Sequence, residues 1–110
     1  MTSSGWRAMW IFVVYDCPMT NSERRHGYQV FHNYLLKRNF LQWQNSLYAK
    51  HFATRESAYA ERKRIEQVIP EDAKVAFIYL TDKQFGMIDV FYGEAKTPKP
   101  QDAPEQFLLL

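Results

Sequence analysis

The chain has 110 residues, 46% of them hydrophobic and 16% aromatic, with a formal net charge of +2. That length fits one domain rather than two, and the aromatic share lets a small domain build a core without covalent staples. Cys17 is the only cysteine, so an intrachain disulfide is excluded. The apolar run near the N-terminus is too short to span a bilayer and ends in Asp-Cys-Pro rather than a small-residue cleavage site. The expectation is a cytoplasmic protein with no membrane partner.

Residues 1–8, MTSSGWRA, read as a loose lead-in. Met9 to Tyr15 is continuously apolar and includes the β-branched Val13 and Val14. This pattern predicts a central strand buried on both faces, with Asp16 at its end and Pro18 helping to stop it. Thr20 followed by Glu23 fits a capping box for a helix running to about Arg38. Gly27, Val30, Phe31, Tyr34 and Leu35 form its expected core stripe. Lys37 and Arg38 suit the negative end of the helix dipole.

Phe40 to Phe52, FLQWQNSLYAKHF, alternates apolar and polar residues, with a phase slip near Asn45 and Ser46. One bent strand, or two short ones joined by a bulge, is expected. Thr54 caps a second helix that ends before Pro70, with Ala58, Ile65, Val68 and Ile69 as its apolar side. The run ERKR, Glu61 to Arg64, falls mostly on the wet side of that helix. Lys74 to Thr81 reads as another strand, and Met87 to Gly93 as one more after the short DKQFG connection. Residues 95–104 are rich in proline and polar groups and read as a linker, followed by an apolar tail strand, Gln106 to Leu110. The order predicts an α+β fold, a ferredoxin-like split β-α-β plait with an extra C-terminal strand. Residues 1–94 would form the domain, and 95–110 the linker and a strand docking on a partner.

No Gly-rich phosphate loop is present, and His26, His32 and His51 are too scattered for a zinc site. Cys17 reads as a packed thiol or as a nucleophile lacking a visible base. Arg24 with Arg25, and Arg62 to Arg64, read either as solvated helix faces or as phosphate contacts. Asp16 reads either as an acid favouring the start of the following helix or as a functional group at a strand end. One carboxylate holds Mg²⁺ poorly, since the ion takes one or two carboxylates plus waters and substrate phosphates. A two-fold dimer would bring two Asp16 side chains together, and a divalent ion would relieve their repulsion.

FVVYD closing at Asp16, then ERRHGYQVFHNYLLKRNFLQWQNSLYAK, YLTDKQF and the aliphatic tail together resemble the second CRISPR-associated protein family. This is the small subunit of the spacer-acquisition complex, and the segments look most like members from type II systems. The resemblance implies a ferredoxin-like homodimer whose C-terminal strand lies against the partner's sheet. It implies a Mg²⁺ or Mn²⁺ site at Asp16 from each subunit. It also implies partnership with the CRISPR integrase subunit and with double-stranded DNA or RNA.

The family has been described both as metal-dependent endonucleases and as the dimer that bridges two integrase dimers. On the endonuclease reading, Asp16 holds the metal, Arg24 or Arg25 holds the scissile phosphate, and Ser46 or Tyr48 orients the substrate. On the scaffold reading, Arg24, Arg25, Lys37, Arg38, Lys63 and Arg64 hold backbone phosphates without reading bases. The chain departs from many relatives in carrying Cys17, Pro18 and Met19 where they have further acids. A toxin-like ferredoxin-fold ribonuclease outside CRISPR is the alternative.

Overall fold

Met9–Asp16 forms β1, the spine of the sheet. The computed structural model describes residues 8–93. In chain order, β1 is followed by helix α1 (Ser22–Lys37), strands β2 (Leu41–Gln44) and β3 (Leu47–Phe52), helix α2 (Arg55–Glu66), strand β4 (Lys74–Thr81) and a single helical turn, α3 (Asp82–Phe85). The sheet order is β2-β3-β1-β4, and all three pairings are antiparallel. This is the expected ferredoxin-like plait, because α1 and α2 each connect strands that are separated by one other strand.

β1 has a partner on each side and divides its side chains between two cores by simple alternation. Met9, Ile11, Val13 and Tyr15 face the helix layer, where they meet Phe31 and Leu35 of α1, Ala58 and Ile65 of α2, and Tyr48 and Phe52 of β3. Trp10 and Phe12 face the other way, with Ala49, Leu41, Trp43, Leu47, Leu80 and Phe85. Among the described residues no long helix covers this second face, and α3 lies over part of it, its Phe85 ring stacked on Trp10 at 3.9 Å and 7°. A complete capping box holds that turn: Gln84 N–H donates to Thr81 Oγ1 (3.1 Å) and Thr81 N–H donates to Gln84 Oε1 (2.9 Å).

α1 ends in a Schellman motif. Asn39 takes the left-handed conformation (φ 70°), its N–H reaches Leu36 O, and Phe40 N–H reaches Leu35 O, both at 3.0 Å. The reversal returns Phe40 to the core beside Leu35 and leaves Arg38 as the cap residue at the helix end.

Some expectations change. The cap of α1 is Asn21, whose side chain accepts from Arg24 N–H at 2.8 Å, because the helix starts one residue later than a Thr20 cap allows. Thr20 instead accepts from the Arg24 guanidinium at 3.0 Å. Val30 is exposed, since the buried stripe centres on Phe31 and Leu35. Val68 is likewise exposed, lying beyond the end of α2. The phase slip at Asn45 and Ser46 is a turn between β2 and β3, with a further register shift between Gln42 and Gln44. The DKQF connection is helical. Residues 87–93 form no strand beyond a single bridge at Phe91, because the Thr81 capping box turns the chain out of the β4 direction. Of the predicted lead-in over 1–8, only Ala8 is described, and it is buried; the rest of it, the linker and the tail strand lie outside the described residues.

Candidate functional site

Asp16 ends β1 in an exposed position, opposite Lys74 of β4. By alternation it shares the face of Trp10, Phe12 and Val14. Among the described residues it has no hydrogen bond or ion pair. Ser46 lies alongside, since Tyr15 N–H donates to Ser46 O at 3.2 Å. Asp16 and Ser46 therefore lie near one another at this end of the sheet.

Tyr48 is not brought to them. It pairs with Val13, faces the helix layer and is fully buried. Its hydroxyl lies 3.3 Å from Tyr15 Oη and 2.5 Å from His32 Nδ1. Burial pushes the Tyr15 hydroxyl far above its usual range, reinforced by the Tyr48 hydrogen bond. Burial likewise raises Tyr48, against the lowering effect of its bond to Tyr15. Both hydroxyls stay protonated near neutral pH and act as a polar strut between β1, β3 and α1.

Cys17 is packed in the core, with its Sγ 3.9 Å from Arg24 O and no base paired to it among the described residues. It borders a cavity of about 310 Å³ between the start of α1 and the loop before β4, which Arg24 and Asp72 also line. Arg24 is tied to Asp72 at 3.1 Å. Arg25 donates to Met19 O at 3.2 Å. Lys37 and Lys63 are exposed.

Arg38 and Arg64 converge on one acid. Glu61 is 2% exposed, which corrects its placement on the wet side of α2. Arg38 reaches its carboxylate through Nη2 (2.7 Å) and Nε (3.2 Å), Lys50 Nζ reaches it at 3.3 Å, and Arg64 Nη1 at 3.2 Å. Burial alone would raise the Glu61 carboxyl; hydrogen bonds and charge from Arg38 and Lys50 outweigh it and hold the group below its ordinary range. The Arg38 guanidinium is raised in turn by Glu61. The signal was present in the spacing, because Ala58, Glu61 and Ile65 fall three and four residues apart on the buried side of α2.

The family model described as "CRISPR associated protein Cas2" matches residues 9–88. The chain belongs to the Cas2 family. It is 39% identical over 105 residues to the "CRISPR-associated endoribonuclease Cas2" of Flavobacterium psychrophilum, covering 96% of this chain and 90% of that relative. It is 36% identical over 101 residues to the protein of the same name from Parvibaculum lavamentivorans, covering 92% of this chain and 99% of that one. A solved structure described as "Crystal structure of cas2" superposes with a TM-score of 0.55 at 22% identity, over 82% of this chain and 94% of its own, which supports the fold.

Within this Cas2 chain, the described residues bring no group of three or more His, Cys, Asp or Glu together as a metal site. One Asp16 supplies one hard oxygen ligand, so a Mg²⁺ ion fits here only where a second carboxylate or a substrate phosphate completes the set. No helix among the described residues is long and apolar enough to cross a membrane.

Proposed function

We propose that the chain is the adaptation subunit of a CRISPR system: a homodimer that holds duplex DNA and bridges integrase dimers, with endonuclease activity secondary to that role. The observation that carries this reading is the setting of Asp16. It stands unpaired among the described residues, on the sheet face that carries Trp10, Phe12 and Ile78. Ile78 on that face is 45% exposed, and Phe91 just beyond α3 is 55% exposed. Apolar area of this kind asks for a cover, and a second copy laid on it would set two Asp16 carboxylates near a common axis. Facing carboxylates repel, and a bound Mg²⁺ or Mn²⁺ would relieve the repulsion and supply an activated water for phosphodiester attack. This chain's part in that chemistry is to present the acid at a rigid strand end with Ser46 beside it. Arg24 and Arg25, held at the start of α1 by Asp72 and Met19 O, add positive charge to the chain.

The test pairs sedimentation with cleavage. The wild-type chain should sediment as a dimer, and Ile78→Glu should shift it toward monomer. RNA and duplex DNA are then offered with Mg²⁺ to wild type and to Asp16→Ala. Cleavage lost in the variant supports the metal role. Equal cleavage by the two removes Asp16 from the chemistry, and a monomeric wild type removes the whole reading.

A further inference from the structure

Away from Asp16, the helix layer carries a concentration of positive charge that its one acid does not balance. Arg38, Lys50 and Arg64 bring three formal positive charges to Glu61, which brings one negative charge, leaving an excess of two. A guanidinium has five N–H donors and an ammonium three. Arg38 commits two of its five to Glu61, and Arg64 commits one. Lys50 commits two of its three, to Glu61 and to Arg38 O at 2.7 Å. Most of the guanidinium donors therefore remain unspent among the described residues. They are accessible: the side chains are 36% exposed in Arg38, 23% in Lys50 and 56% in Arg64.

The cluster is also held rigidly. Glu61 is sealed in the core side of α2, and Arg38 is fixed by the Schellman turn that ends α1. The Lys50 ammonium lies over the Phe40 and Phe52 rings, at 5.7 and 5.0 Å from their centroids. Held cations with free donors and surplus charge form a receptor for an oxyanion, because little side-chain entropy is left to lose on binding. Lys50 pairs with Ile11, five residues before Asp16, so the cluster stands about 16 Å along β1 from that acid and behind the sheet from it.

We propose that Arg38, Lys50 and Arg64 form a discrete phosphate-binding cluster on the helix layer, and that Glu61 is the residue that positions them. If the duplex-binding reading holds, on which this extension to DNA rests, the phosphate comes from the nucleic-acid backbone. A free phosphate group presents the same chemistry.

The full-length protein tests both sources. Inorganic phosphate, and separately a duplex DNA oligonucleotide, are titrated while the Arg38 Nε–H resonance is followed by NMR. A saturable shift with phosphate alone supports the site and names a free phosphate as a ligand. A shift with duplex only supports it and names the backbone. No shift with either overturns it.

Duplex affinity is then measured against salt. Arg64→Gln should weaken binding by roughly eightfold near 0.1 M salt and reduce the salt slope by about one, the value of one lost phosphate contact. Glu61→Gln separates positioning from charge. Removing a negative charge should tighten binding if only net charge matters, whereas loss of positioning should weaken it several-fold. Tighter binding by Glu61→Gln overturns the role of Glu61, as an unchanged slope in Arg64→Gln overturns the cluster. Should Glu61→Gln fail to fold, Arg64→Gln and the phosphate titration still decide. Phosphate binding without duplex binding would leave the cluster standing and the duplex reading refuted. Duplex binding that ignores Arg38 and Arg64 would do the reverse.

Discussion

Asp16 and Glu61 are the two acids around which this molecule can be understood, and they are opposites. Asp16 is exposed at a strand end, with no partner among the described residues. Glu61 is buried on a helix and surrounded by three cations. A carboxylate left bare at the surface costs the fold almost nothing and remains free for a ligand. A carboxylate buried among cations is committed to structure, and it organises the groups around it. Position within an element, rather than residue type, separates the two roles.

The contrast can be broken by mutation. Glu61→Ala should have the largest effect, since it leaves Arg38 and Lys50 facing a cavity with uncompensated charge. A loss of about 3 kcal/mol is expected, at the low end for a broken buried pair because Arg38 and Arg64 reach solvent. For a domain of this size that is a fall of at least ~10 °C in Tm by calorimetry.

Acid titration should sharpen it. Glu61 has a folded-state pKa below its ordinary 4.5, so its contribution to stability is complete above the unfolded value and is lost as pH falls through the folded one. Wild-type stability should decline as pH drops from about 5, and Glu61→Gln should flatten that part of the profile by chemical denaturation.

Smaller again is Tyr48→Phe, which leaves Tyr15 Oη and His32 Nδ1 without their shared partner. A cost of about 1–2 kcal/mol is expected by urea unfolding, with Mg²⁺-dependent cleavage altered no more than stability explains. Asp16→Ala should change stability least, within about 0.5 kcal/mol, as for a surface group outside any packed network.

Much of the fold was legible because the strongest patterns are local. The uninterrupted run from Met9 to Tyr15 is the central strand, Lys74–Thr81 is a strand with those bounds, and Thr54 caps its helix. Where two signals competed, the local one misled. Thr20 and Glu23 matched a capping box, yet Asn21 stood one residue closer and took the cap. Glu61 looked like part of a solvated charge run, although its spacing from Ala58 and Ile65 placed it on the buried stripe. Tyr48 was grouped with Ser46 by the family resemblance, but Ser46 lies in the turn before β3, whereas Tyr48 pairs with Val13 inside it and is buried under the helices. The dimer mate proposed for Asp16 could be inferred, among the described residues, only from apolar side chains such as Ile78 left exposed on that face.

The most direct measurement is the dependence of duplex DNA affinity on salt, for wild type and Asp16→Ala side by side. A dimer that holds the DNA backbone through fixed arginines and lysines should show log K falling linearly with log salt, with a slope of several units that Asp16→Ala leaves in place. Absence of duplex binding at low salt, or a slope near zero, would contradict the account.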